Sequence, residues 1–214
     1  MRKRIVFIDA IRVITDELDK VFSEIMPDLE ITHIVDEGIL KFDIGSKQLN
    51  RRLCSLTILA EEIGADIILI TCAHALSVVD IVQKLVEPPV TQITLPMIEA
   101  AVNIGETIGL VATEEPIIKP IVGLLERAGE QANKRITVKV GLCEEAFQAR
   151  LSGNTAKSDE LLLKTIKEIA KRVDVVVLAQ VSSGRVVPKA KEQTDKPILS
   201  PAVIAAEKIK AMLG

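Results

Sequence analysis

Tryptophan and tyrosine are absent from the 214 residues, and aromatic side chains make up only 2%. Base-stacking platforms and aromatic cages therefore have nothing to be built from. Charge of one sign is missing too: 27 Lys and Arg against 30 Asp and Glu leave a net charge of -3. With no basic block or acidic tail, neither nucleic acid nor a membrane surface is an expected partner. No apolar run reaches the roughly 18 residues of a membrane-spanning helix. Cys54, Cys72 and Cys143 are an odd number without CxxC spacing, and the two histidines, His33 and His74, form no cluster with them. Neither a disulfide framework nor a metal site is expected. A P-loop and a GxGxxG turn are also lacking, and Ser152-Gly153-Asn154-Thr155 reads as a helix connection.

The N-terminal apolar stretch Ile5-Val6-Phe7-Ile8 is broken by Asp9 and Arg12, and no small-residue cleavage site follows. It reads as a first strand rather than a signal peptide, and a cytoplasmic protein is expected. With 48% apolar residues the chain can bury a full core, as one large domain or two small ones.

What is present is organised around two runs. Asp66-Ile67-Ile68-Leu69-Ile70-Thr71-Cys72 carries an acidic residue into four apolar ones and stops on a thiol. Asp174-Val175-Val176-Val177-Leu178-Ala179-Gln180 mirrors it, so that Cys72 falls opposite Gln180. Unbroken apolar runs of this length suit strands buried on both faces of a parallel sheet. Around them the chain repeats over roughly a hundred residues. Ile5 to Asp9 answers to Ile108 to Ala112, Leu29 to His33 answers to Ile136 to Val140, and Pro88 to Val90 answers to Lys196 to Ile198. Helices are expected at Thr15–Ile25, Leu49–Ile63, Leu76–Leu85, Pro96–Asn103, Pro116–Ala128, Glu144–Leu151, Ser158–Arg172 and Pro201–Met212, with a polar loop over 36–48. The expected fold is α/β, two similar parallel-sheet lobes related by a pseudo-twofold with a ligand cleft between them. Lobe 1 would take 1–95 plus 201–214 and carry Cys72; lobe 2 would take 96–200 and carry Gln180.

These stretches together resemble the aspartate/glutamate racemase superfamily, which includes hydantoin racemases, maleate isomerases and arylmalonate decarboxylases. The resemblance rests on Ile70-Thr71-Cys72-Ala73-His74 and on Leu178-Ala179-Gln180-Val181-Ser182. It extends through Pro89-Val90, Met97 to Ala101, Ile108 to Thr113 and Pro197 to Pro201. It implies cofactor-independent isomerase chemistry on a small amino acid or related carboxylate, and a possible homodimer. It also implies a C-terminal helix packed back onto the first lobe. Racemases of this kind place cysteine at both motif positions, and this chain has Gln180 at the second. A carboxamide neither gains nor loses a proton near neutral pH, so the two-thiol mechanism does not transfer as it stands.

Cys72 is read as the acid/base thiol, against the alternative of a small buried hydrophobe. Gln180 would hold a carboxylate or enolate, or only close the turn. Val181, Ser182 and Ser183 would offer donors to an oxyanion, or cap a helix. Thr71, Ala73 and Thr113 complete the expected carboxylate site. His74 would activate Cys72 or supply a second base, and Asp9 stands as a further acid/base candidate or a helix cap. His33 reads as a satisfied histidine, and Cys54 and Cys143 as packing. Two other readings stay open: one-sided decarboxylation or isomerisation by Cys72 alone, and a carboxylate-binding sensor without turnover.

Overall fold

The computed structural model describes residues 2–41, 46–72, 75 and 78–213. Among the described residues eight strands alternate with helices: β1 Arg4–Asp9, β2 Glu30–Val35, β3 Ile67–Ile70, β4 Val90–Gln92, β5 Thr107–Ala112, β6 Thr137–Leu142, β7 Val175–Leu178 and β8 Ile198–Leu199. The helices are α1 Thr15–Ile25, α2 Gly38–Lys41, α3 Ser46–Glu62, α4 Val79–Val82, α5 Leu95–Ile104 and α6 Ile118–Gln131. They continue with α7 Glu144–Leu151, α8 Thr155–Ala170, α9 Val187–Lys191 and α10 Pro201–Leu213. The strands form two parallel four-stranded sheets, ordered β2-β1-β3-β4 and β6-β5-β7-β8. Two compact units contain them, Met1–Leu95 with Ala205–Gly214, and Pro96–Ile204.

Both sheets obey one register. Ile5 pairs with Ile67 as Ile108 pairs with Val175, and Arg4 pairs with Glu30 as Thr107 pairs with Thr137. Ile68 pairs with Val90 as Val176 pairs with Ile198. The repeat read from the sequence is therefore structural, and residue 72 is the counterpart of residue 180 within its own sheet. β3 and β7 are wholly buried, which is why their sequences are continuously apolar.

The acidic residue opening each of these strands has a mechanical task. Asp66 accepts the Arg4 N–H at 2.8 Å, and Asp174 accepts the Thr107 N–H at 2.8 Å and the Glu106 N–H at 3.1 Å. These are first-strand donors that the ladder leaves over. The backbone bond from Arg4, then the Lys3 ammonium, holds the Asp66 carboxyl below its usual range; for Asp174 the Thr107 N–H does the same. The clamp leaves no room beside Asp174: a Cβ on Gly105 would stand 2.3 Å from the Asp174 Cβ, whereas one on Gly123 in α6 meets nothing within 4 Å. Gly105→Ala is expected to lower the urea-unfolding free energy by about 1–3 kcal/mol. Gly123→Ala should raise it by up to about 1 kcal/mol through helix propensity. Equal effects of the two would show that the clamp is dispensable.

Four elements differ from the sequence reading. The stretch expected as a loop over 36–48 holds α2, and α3 begins at Ser46 rather than Leu49. The helix expected over Leu76–Leu85 is only Val79–Val82 within the described residues, because the chain after it closes in i to i+3 bonds, Lys84 to Ile81 and Leu85 to Val82. Gln83 ends that turn by bonding forward, its Oε1 accepting the Val90 N–H at 2.7 Å. α8 starts at Thr155, before the expected Ser158, because Asn154 caps it through the Lys157 N–H. In the first unit, Leu18 and Phe22 of α1 are fully buried, and the Phe22 ring meets Phe7 edge-on at 4.9 Å. The final helix ties to this unit through Lys210, whose Nζ donates to the Ile25 carbonyl at 3.0 Å.

Candidate functional site

Parallel sheets offer ligands the carboxyl ends of their strands, where backbone groups and side chains are released from the ladder. In the first unit that edge carries a polar network on one face of the sheet. Asp9 ends β1 with no solvent exposure. Its Oδ1 accepts the Thr71 hydroxyl at 2.7 Å, and its Oδ2 lies 2.6 Å from His33 Nδ1. The other ring nitrogen of His33 lies 3.1 Å from Asp19 Oδ1 on α1, and the imidazole stacks on Phe7 at 4.8 Å. The β1–β2 register explains the meeting: His33 pairs with Phe7, two residues before Asp9 and on the same face. Asp9 does not cap the following helical turn, whose N-cap is Ile11.

Cys72 belongs to the opposite face. It is 6% exposed and packs with Val6, Ile8, Ala10, Ile68 and Ile70. Its carbonyl accepts the Ala75 N–H at 3.1 Å, and the buried Gln92 amide lies 3.5 Å from the same oxygen. Gln92 is itself locked by Thr94, whose N–H donates to its Oε1 at 2.7 Å. Ala73 and His74 lie outside the described residues.

At the carboxyl edge of the second sheet, Gln180 Oε1 accepts the Thr113 N–H at 3.3 Å. That bond turns the amide nitrogen away, and Gln180 Nε2 is buried with no hydrogen-bond partner among the described residues. A buried amide donor left unpaired costs about 1–3 kcal/mol, a cost that an arriving acceptor removes. Val181, Ser182 and Ser183 enter the 3-10 turn Val181–Val186. The Ser183 N–H is taken up by the Gln180 carbonyl at 3.1 Å, matching the Ala75-to-Cys72 bond of the first unit. The Ser182 carbonyl accepts from Arg150 at 3.2 Å and from Arg185, which also donates to Asp159 at 2.7 Å. Arg150 is not announced by anything near Gln180 in the chain, since α7 brings it from thirty residues away, and Arg185 reads from sequence as an ordinary surface charge.

Equivalent positions are chemically unequal. Asp9, His33 and Thr71 answer to Ala112, Val140 and Ala179, so the second sheet has an apolar set where the first has its acid–histidine network. Among the described residues no group of three or more His, Cys, Asp and Glu side chains is placed to hold a metal ion. None of their helices is long and apolar enough to cross a membrane.

Burial pulls the His33 pKa down, but hydrogen bonds and charge from Asp9 and Asp19 outweigh it, so the net displacement is upward from 6.5. A group protonated more readily in the folded state adds stability that is fully present below the unfolded pKa and fades as pH rises through the folded one. The unfolding free energy is therefore expected to decline as pH rises above about 6.5 and through the raised His33 pKa. In His33→Gln that portion of the decline should vanish. Chemical unfolding of both proteins at a series of pH values reads the difference; parallel curves would contradict it.

Two α/β units with one strand order, each presenting polar groups at its carboxyl edge, define the class of fold. The chain belongs to the Asp/Glu/hydantoin racemase family, whose model matches residues 44–209. No curated protein sequence matches it. Allantoin racemase from Klebsiella pneumoniae is similar in structure, with a TM-score of 0.78 at 14% identity, over 99% of this chain and 87% of that one. Glutamate racemase isoform RacE1 from Bacillus anthracis gives 0.71 at 15% identity, over 99% and 81%. An aspartate racemase homologue from Pyrococcus horikoshii OT3 gives 0.72 at 19% identity, over 99% of each. At these identities the likeness is one of fold.

Proposed function

We propose that this chain is a cofactor-independent isomerase that moves a proton at the carbon next to the carboxylate of a small amino acid or related acid. Cys72 takes the α-proton as a thiolate and returns it as a thiol. Gln180 Nε2, with Thr113 and the turn at Val181 to Ser183, holds the carboxylate or the enolate that forms. Ala73 completes the set, and His74 serves Cys72 as a neighbouring base. The observation that carries this reading is the buried Gln180 amide donor with no partner among the described residues, at the position that mirrors the thiol in a racemase-family chain. Such a donor strengthens with the negative charge that develops as the proton leaves.

A second reading, one-sided proton delivery as in a decarboxylase or single-face isomerase, is favoured by the apolar replacement of Asp9, His33 and Thr71 in the second unit. Both readings put a solvent deuteron on the α-carbon, by exchange in the isomerase and in place of the departing CO2 in a decarboxylase. Incubating the protein with aspartate, glutamate, hydantoins, allantoin and 2-substituted malonates in deuterated water, and following the α-proton signal, should show loss for at least one compound. Unchanged signals across the set would oppose both readings and leave the carboxylate sensor.

A further inference from the structure

We infer that His33 is a positioning residue for this chemistry: as an imidazolium between Asp9 and Asp19, it keeps the buried Asp9 carboxylate ionised and aimed at Thr71. The inference rests on the proposed proton-transfer reading for its purpose, but its structural content stands separately. Each ring nitrogen of His33 faces a carboxylate oxygen, Nδ1 at 2.6 Å from Asp9 and Nε2 at 3.1 Å from Asp19. An ionised carboxylate only accepts, and a neutral imidazole donates from one nitrogen alone, so two carboxylate partners call for a ring protonated at both positions. The second Asp9 oxygen is already occupied by the Thr71 hydroxyl donor at 2.7 Å. A carboxylate with no solvent exposure needs a counter-charge or it takes up a proton. Among the described groups His33 is the cation bonded to it.

The ring is also the route to water. The Asp19 side chain is 50% exposed and that of His33 15%, against none for Asp9. A proton leaving His33 passes from Nε2 to Asp19 and on to solvent. The groups facing the ring are Asp9 from β1 and Asp19 from α1, with Phe7 stacked beside it. Asp9 in turn holds Thr71, the residue before Cys72, so the charge on the ring sets where the turn carrying the thiol begins. His33 thus gives this unit a fixed acid–base pair that holds the residue before its single thiol.

Three readings test this on the full chain. In 15N-labelled protein, with His74→Gln assigning the two histidines, both His33 ring nitrogens should be protonated at pH 6.5, and Asp19→Asn should move the midpoint down. In 13C-labelled protein the Asp9 carboxyl signal should be that of an ionised carboxylate at pH 6.5, and His33→Gln should move it. A neutral ring at pH 6.5, or an Asp9 signal indifferent to His33→Gln, overturns the inference; Asp19→Asn, at an exposed position, serves if His33→Gln does not fold. With a substrate that exchanges, His33→Gln should lower kcat about 10- to 100-fold with KM little changed. Identical exchange in wild type and variant overturns the positioning role and leaves the proposed function intact. No exchange in wild type beside an imidazolium ring defeats the proposed function and leaves the charge assignment standing.

Discussion

Asp9→Ala is expected to destabilise the folded protein by about 3 kcal/mol or more, because removing one member of a buried ion pair strands the other. The side chain is fully buried and makes two bonds, to the Thr71 hydroxyl and the His33 ring. Its loss leaves a hydroxyl with only the longer contact to the Ile8 carbonyl at 3.2 Å, and an imidazolium with Asp19 alone. The effect should depend on the charge of the ring. Measured near pH 6, where His33 is protonated, the loss is largest; at alkaline pH it shrinks. His33→Ala in the Asp9→Ala background should add less than it does alone, by about 1–3 kcal/mol of coupling. Additive losses across that cycle would mean that the two side chains are neighbours without an energetic bond. Urea unfolding of the four proteins supplies every term.

Gln180→Cys is expected to raise the rate of racemisation at least about a hundredfold, the lower end of what a positioned acid or base contributes. The register of the two sheets makes residue 180 the counterpart of Cys72, at the same step past a four-residue buried strand. A carboxamide there cannot exchange protons, whereas a thiol with a pKa near 8.5 can, and more readily when its surroundings lower that value. The substitution has a structural cost: Thr113 loses the acceptor of its N–H, about 1–3 kcal/mol. Racemisation that stays flat while α-proton exchange continues would mean that residue 180 does not reach the second face of the substrate carbon.

The repeat was legible in the sequence because it is written in the most buried elements. Asp66 with Ile67 to Ile70, and Asp174 with Val175 to Leu178, are constrained on both faces and at their start, so composition and spacing survive in each copy. The unequal chemistry of the two copies was legible at Cys72 and Gln180 alone. His33 read as a merely satisfied histidine because its partners come from β1 and α1, and nothing local marks a residue whose role depends on strand register. The shortness of α4 was hidden for a related reason: Gln83 bonds ahead to the backbone at Val90, a tertiary preference that outranks the helical periodicity of the segment. Ala73 and His74 were named from the motif and lie outside the described residues, so their roles rest on chemistry tests.

The measurement that bears most directly on the account compares wild type with Cys72→Ser in deuterated water, using whichever carboxylate exchanges, with α-deuterium counted by mass spectrometry. Serine keeps the shape and loses the accessible thiolate, its hydroxyl being far too weak an acid to exchange protons at neutral pH. The account predicts label in the wild-type reaction and a loss of about a hundredfold or more in the variant. Equal labelling by the two proteins would contradict it, since the proton would then be moving through a group other than the thiol that ends β3.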